Sequence, residues 1–397
     1  MRIALVAQDT RLLSPWAAAD SGDQAVRVSS LAGALARAGH RVTIYSPEDA
    51  AVPAGSTDPA APVTMEHIPA GPPGRLAPGK LAPLSRLGGY LGERWRRDAP
   101  DVVHAQFWTC GMAALAGARG LGVPVLQTFG SLGTAERRHR LPGQVPAARI
   151  RVEASISHRA TVMLASSSEE VSELTGLGVP RSMVRVVPCG IDTTRFSLHG
   201  QVAPRGRRPR LLAAGSLAGW QDLDKIMYAL AGVPQAELVI IGGPPRGQLA
   251  AAEAYCRLDR LAARLEVRHR VTFTGRISVA GLPALFRSAD LLVSIAPYEP
   301  IGTAALQAMA CGTPVVASAV GSHLDTVVHG TTGVLVPPGR PELLARALRH
   351  LLADPQRIRA FGVAAADRAS ARYSWDRIAG ETLAAYENSM KRDAPSP

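Results

Sequence analysis

No run of apolar residues in this 397-residue chain approaches the roughly 20 needed to span a bilayer, which excludes stable membrane insertion as a reading of the sequence. Met1 opens directly into the strand-like residues 3–7, without the basic and apolar regions of a secretory signal, so the cytoplasm is the expected compartment. Cysteine is scarce. Cys110, Cys189, Cys256 and Cys311 are scattered without a CxxC pair, which argues against a zinc knuckle or a disulfide framework and for buried free thiols. His139, His323 and His329 likewise lack a spacing that would hold a metal. Acidic residues are outnumbered, 32 against 44 Lys and Arg, giving a net charge of +12. Such a balance attracts anions, from nucleic acid to phosphorylated small molecules. The arginines are dispersed, with local clusters only at 94–97, 137–140 and 205–210, so nucleic acid is not an expected partner.

What is present is enough apolar residue, 47%, to bury real cores, and 38 Gly and 31 Pro to turn the chain often. The length fits two domains of roughly 150 to 200 residues each. Short apolar stretches at 3–7, 42–45, 102–105, 123–128, 161–165 and 184–187 read as strands, and between the first two, residues 26–38 carry helical periodicity that stops at Gly39. This alternation implies a parallel sheet. Residues 201–209 are polar, basic and proline-bearing, and are read as a linker. A second series follows, with strands at 211–214, 238–241, 271–273, 291–295 and 314–317, an edge strand at 334–336, and helices at 341–353, 355–370 and 375–389. The predicted fold class is α/β: a Rossmann-like domain at 1–200, the linker at 201–209, a second at 210–372, and a closing helix at 373–390 returning to the first. Two such domains bind ligands at the carboxyl ends of their strands, in a central cleft faced by both parallel sheets.

The densest motif runs Tyr298, Glu299, Pro300, Ile301, Gly302, Thr303, then Gln307, Ala308, Met309, Ala310, Cys311, Gly312. A strand ends, a Pro and Gly turn follows, and a helix begins with free N–H groups that a diphosphate can use. The stretch resembles the EPFGLxxLEAMACGxPVVAS segment of the retaining GT-B glycosyltransferases of family 4. Ile191, Asp192 and Phe196 after Pro188, Cys189 and Gly190 look like that family's VPxGVDxxxF segment, and Gly242, Gly243, Pro244 and Pro245 like its VGGPP turn. Thr274, Gly275 and Arg276 resemble its TGR turn, His104 to Trp108 its HAHFW strand end, and Tyr373, Ser374 and Trp375 the start of its closing helix. The similarity covers nearly the whole chain and is nearest the actinobacterial branch related to mycothiol and sucrose-phosphate assembly. It implies transfer of a sugar, with retention, from a nucleoside-diphosphate donor (GDP or UDP) to a small-molecule acceptor, with no permanently bound cofactor and no metal. A homodimer stays open. By resemblance, Glu299, His104 and Gly130 stand at catalytic positions, and Gly22, Asp23, Gly215, Ser216, Gln221, Gly243, Arg276, Ile301, Gly302, Thr303 and Gln307 at donor-binding ones.

The sequence departs from that pattern where charge matters. The GGQ turn reads Asp20, Ser21, Gly22, Asp23, Gln24, placing a carboxylate where the second glycine is expected. The Arg and Lys that neutralise the diphosphate are replaced by Ser216 and Gln221, the latter after Trp220. Removing one such electrostatic donor typically costs about 2.7–4 kcal/mol of transition-state stabilisation. Gly130 occupies the position of a histidine against the donor sugar, Gln106 that of the second His of HAHFW, and Gln307 that of a ribose-binding Glu. Two readings follow. In one, Gly130 opens volume for a larger or amino-bearing donor, with Asp23 meeting an amine, in amino- or thiosugar antibiotic assembly with S- or N-glycosylation. In the other, the fold serves as a catalytically reduced auxiliary of another enzyme. Asp23 is alternatively a helix N-cap, His104 a structural histidine, Phe107 and Trp108 core packing rather than an acceptor wall, and Arg137, Arg138 and Arg140 a solvated loop.

Overall fold

The computed structural model describes residues 1–7, 22–47, 63–68, 82–139, 145–217 and 221–392, with the backbone alone at 22–25, 82–84 and 392. Asp20, Ser21, Arg140 and Trp220 of the motifs above lie outside the described residues. The chain forms two compact units: Met1–Arg138, Gly143–Gly190 and Trp375–Pro397 make the first, and His139–Pro142 and Ile191–Ser374 the second.

The first unit is built on seven parallel strands: β1 (Arg2–Val6), β2 (Arg41–Pro47), β3 (Val63–Ile68), β4 (Val102–Gln106), β5 (Val125–Thr128), β6 (Val162–Ala165) and β7 (Val184–Val186). Their order is β3-β2-β1-β4-β5-β6-β7. The direction of winding reverses between β1 and β4, where Leu5 pairs with His104, and in such sheets ligands bind beyond the carboxyl ends at that switch. Strands β4, β5 and β6 are buried throughout, as central strands covered on both faces should be. Strand β3 escaped the sequence reading. It is an edge strand whose Thr64, Glu66 and His67 break the apolar run, because an edge has one partner and a half-wet face.

The second unit repeats the plan with β8 (Arg210–Ala214), β9 (Glu237–Ile241), β10 (Val271–Gly275), β11 (Leu291–Ser294), β12 (Val315–Ser318) and β13 (Gly333–Val336), all parallel, in the order β10-β9-β8-β11-β12-β13. Its switch lies between β8 and β11. Leu211, Met227, Leu238, Leu258, Leu291 and Leu348 pack its core with essentially no exposure.

The chain leaves the first unit between Gly190 and Ile191 and returns between Ser374 and Trp375. Ile191 donates its N–H to Tyr373 O (2.7 Å), so the two connections lie side by side. Residues 201–209, read from sequence as a linker, belong to the second unit. Their polar composition is anchored: Arg205 bonds Ser288 O (2.9 Å) and pairs with Asp290 (2.6 Å), and Arg287 Nε donates to Gln201 O (2.8 Å). The last helix, Trp375–Arg392, packs along helix Gly22–Arg37 within the first unit, with Arg37 paired to Asp376 at 2.7 Å. That earlier helix starts before residue 26, so Asp23 lies in its first turn rather than at its N-cap. Of the four free cysteines, Cys110, Cys189 and Cys311 are buried and Cys256 is partly exposed. No described helix is long and apolar enough to cross a membrane.

Candidate active site

In the second unit, β11 ends at Ser294 and the chain turns through Pro297 and Pro300 into helix Thr303–Ala310. Gly302 caps that helix in the left-handed conformation (φ 74°, ψ 29°), which a residue with a Cβ adopts only at a cost of roughly 1–2 kcal/mol. Glu299 folds its carboxylate back onto the turn: Oε1 accepts from Gly302 N–H at 3.0 Å and Ile301 N–H at 3.4 Å. The loop after β12 closes against the same turn, with Ser322 N–H donating to Glu299 O at 2.7 Å. Gly321 is required there, since a Cβ on it would stand 1.9 Å from Glu299 O.

Two hydroxyls at this turn have no hydrogen-bond partner among the described residues: Thr303 Oγ1 and Ser322 Oγ, both buried atoms. The first amides of the helix, at Thr303, Ala304 and Ala305, also lack intrahelical acceptors by geometry. A carboxylate acceptor thus stands beside several unused donors, an arrangement suited to an oxygen-rich ligand. Burial raises the Glu299 carboxyl above its usual value, and the amides of Gly302 and Ile301 oppose that rise. His323, fully buried behind the turn, has Nδ1 against Ser318 O (3.1 Å) and Nε2 against Ser294 Oγ (3.2 Å). Nδ1 therefore carries the proton, and burial lowers this histidine to about 4.

Several residues expected at the donor site meet at the carboxyl ends of β8, β9 and β10. Gln221 Nε2 donates to Glu299 Oε2 at 3.3 Å, so the amide that stands in place of a lysine is engaged with Glu299. Gly215 approaches the Gln221 side chain, and Gly243 (φ 86°) packs over Leu217. Arg276 N–H donates to Pro244 O at 3.1 Å, joining the turns after β9 and β10. Ser216 is exposed, and Gln307 lies partly buried one turn into helix Thr303–Ala310.

The first unit gathers the remaining candidates. His104, 2% exposed on β4, contacts Tyr386 Oη through Nδ1 and Thr128 Oγ1 through Nε2, each at 2.8 Å, and Gln106 Nε2 stands 3.1 Å from its Nε2. Burial, reinforced by the charge of Arg27, lowers its pKa to about 3. Both ring nitrogens have hydrogen-bond partners within the unit, as a satisfied structural histidine would, and burial favours the neutral ring. Gly130 has φ 74°, but the space beside it is filled. A Cβ there would lie 3.0 Å from Phe107 Cε1 and 3.3 Å from Arg27 Nη1, so these two side chains crowd the position a side chain at 130 would start from. Arg138 is held by Glu169 (2.9 Å) and by Glu173, while Arg137 is exposed. Gly22 and Asp23 start their helix, and their side-chain surroundings lie outside the described residues.

Arg27 and Ser322 were not foreseen. Arg27 could have been noticed as a lone cation on the inward side of a helix, next to Val28 and Leu31. For Ser322 the signal was only a serine after Gly321. Among the described residues no group of three His, Cys, Asp or Glu could hold a metal.

Residues 22–190 match the family described as a glycosyl transferase 4-like domain, and residues 195–368 the family described as glycosyl transferases group 1. The D-inositol 3-phosphate glycosyltransferase of Xylanimonas cellulosilytica is 31% identical over 98% of this chain and 97% of that protein. The chain belongs to the glycosyltransferase group 1 family. This glycosyltransferase is also 31% identical to D-inositol 3-phosphate glycosyltransferase 1 of Catenulispora acidiphila, over 98% of this chain and 96% of the relative. Its fold matches that of the sucrose-phosphate synthase of Thermosynechococcus elongatus with a TM-score of 0.85 and 27% identity, covering 99% of this chain and 100% of the other. Anabaena HepE, solved in complex with UDP and glucose, shares the fold at a TM-score of 0.75 and 19% identity, covering 98% and 100%. The architecture is GT-B, with two Rossmann-like α/β domains on parallel sheets.

Proposed function

We propose that this glycosyltransferase moves a hexose, with retention, from a nucleoside-diphosphate sugar to a small polyol acceptor in the cytoplasm. The observation that carries the reading is the Glu299 turn, where a carboxylate, free first-turn amides and the unpartnered Thr303 and Ser322 hydroxyls converge. The phosphates sit at the start of helix Thr303–Ala310 on the free amides from Thr303 onward, next to the Ile301–Gly302 turn that Glu299 holds, Gln307 contacts the ribose, and Glu299 accepts from sugar hydroxyls. Gly215, Ser216, Gln221, Gly243 and Arg276 complete the donor side. With Ser216 and Gln221 where an Arg and a Lys are expected, diphosphate charge is met largely by the helix N-terminus and hydroxyls, a weaker arrangement than that paired Arg and Lys. UDP is the first donor nucleotide to test, because HepE of the same fold was solved with it. The names of the relatives favour an oxygen nucleophile on a polyol. The amino- or thiosugar setting asks for room at Gly130, and Phe107 and Arg27 stand close to that position.

A thermal-shift series with UDP, GDP, ADP and TDP, followed by assay of nucleoside diphosphate released from the stabilising sugar nucleotide, tests the reading. A ligand at about a hundred times its dissociation constant stabilises by about 2.7 kcal/mol. If every nucleotide at millimolar concentration leaves the melting temperature unchanged, the auxiliary-partner reading replaces this one.

A further inference from the structure

Arg27 lies in helix Gly22–Arg37 and is 9% exposed. A guanidinium so buried is held by partners, since leaving its donors unmet loses their hydration without return. Here the partners are few. Nη2 reaches Ser166 Oγ at a long 3.5 Å, and Nη1 has no hydrogen-bond partner among the described residues. Glu170, 3% exposed, takes Ser166 N–H at 2.6 Å and balances part of the Arg27 charge across that shared serine, yet it leaves Nη1 unsatisfied.

Nη1 lies beside Gly130, 3.3 Å from where a Cβ on that residue would stand, and the Arg27 side chain borders a pocket. Arg27 lines a pocket in the first unit together with His104, Gln106 and Thr128 on its polar side and Trp375 and Ile378 on its apolar side. His104 and Thr128 are bonded to one another, and His104 also to Tyr386, so the guanidinium supplies donor capacity that the pocket does not use itself. Phe107, which stands with Arg27 against Gly130, is in the left-handed region at φ 69°. A bulky residue in that conformation is uncommon and costly, and such strain collects where ligands are bound.

We propose that Arg27 is an oxyanion-recognition residue, its Nη1 donating to a phosphate- or carboxylate-type group that a substrate brings into the pocket at the carboxyl ends of β4 and β5. This rests on the glycosyltransferase reading and adds to it that the substrate meeting the first unit is anionic there. The oxyanion has two sources, an acceptor carrying its own phosphate or carboxylate and the donor diphosphate. A hydrogen bond to a charged group contributes about 1.5–3 kcal/mol, so its loss should weaken binding about tenfold or more.

The test is isothermal titration of the full chain, at fixed ionic strength, with glycerol 3-phosphate and with UDP, comparing wild type with Arg27→Met and Arg27→Lys. A fall of about tenfold or more for glycerol 3-phosphate in Arg27→Met, with UDP unchanged, supports the assignment with the oxyanion on the acceptor. The same fall for UDP supports it with the oxyanion on the donor. A folded Arg27→Met that binds both probes within twofold of wild type overturns it, as does a wild type that binds no glycerol 3-phosphate while UDP binding ignores the substitution. Should Arg27→Met fail to fold, Arg27→Lys decides, because it keeps the charge and loses the planar fork: severalfold weaker binding of one probe supports the assignment, and unchanged binding of both overturns it. A wild type that binds glycerol 3-phosphate through Arg27 but no nucleotide would sink the donor reading alone.

Discussion

Gly302→Ala separates two effects that the structure superimposes at the Glu299 turn. Gly302 is left-handed, and its ideal Cβ would stand 2.7 Å from Ser322 Oγ, closer than side-chain carbons come without displacement. Alanine therefore adds roughly 1–2 kcal/mol of backbone strain. It also adds an overpacking penalty of about 1–3 kcal/mol, because Ser322 is 3% exposed and has little room to retreat. Removing the Ser322 hydroxyl takes away the close contact, leaving Ser322 Cβ at 3.7 Å, ordinary van der Waals distance. Since that hydroxyl has no partner among the described residues, Ser322→Ala alone should be nearly neutral for stability. The expectation is a loss of about 3 kcal/mol for Gly302→Ala in the wild-type background, and about 1.5 kcal/mol in the Ser322→Ala background. For a unit of this size these correspond to falls of about 6–12 °C and about 3–6 °C in the melting temperature of its transition. Differential scanning calorimetry of the four proteins reads the difference. Equal falls in both backgrounds would refute the steric argument, and no fall in either would refute the strain argument as well.

Other perturbations follow from the same geometry. Glu299→Ala should lower kcat by about 10²–10³ with the protein still folded, measured as nucleotide release; retention of more than a tenth of the wild-type rate would remove Glu299 from the site. Gly130→His, rather than restoring a family contact, should destabilise the first unit by at least about 2 kcal/mol, because it combines left-handed strain with displacement of Phe107 and Arg27; a variant as stable as wild type by urea denaturation would contradict this. A histidine buried neutral contributes its full stabilisation above the unfolded pKa of about 6.5 and loses it as pH falls toward the folded value of about 3, so His104 should withdraw about 2 kcal/mol between about pH 6.5 and 4.5. His104→Gln, compared with wild type by denaturation at both pH values, should show a correspondingly flatter decline, and equal slopes would count against the neutral ring. Ser216→Arg with Gln221→Lys should raise UDP affinity about tenfold by titration, even with the introduced ammonium partly drawn to Glu299; unchanged affinity would mean that the helix N-terminus and hydroxyls already satisfy the diphosphate.

The sequence by itself determined the architecture and the strand-turn-helix on which the proposed donor site rests. Apolar runs punctuated by glycine and proline record which segments are buried on both faces and where the chain must turn, so the two parallel sheets and the turn from Tyr298 to Thr303 could be read directly. The edge strand β3 could not, because one wet face erases the pattern on which the reading depends. Tertiary structure decided what each polar group touches. That Gln221 bonds Glu299, that Ser322 stands beside Gly302, and that Arg27 and Phe107 stand close to Gly130 are facts about residues from 20 to 103 positions apart. Local periodicity carries no record of such meetings. The same holds for His104, whose position at a strand end was legible and whose neutrality was not: it depends on Thr128 from the next strand, on Tyr386 from a helix 282 residues away, and on the depth of burial that only the packed unit imposes.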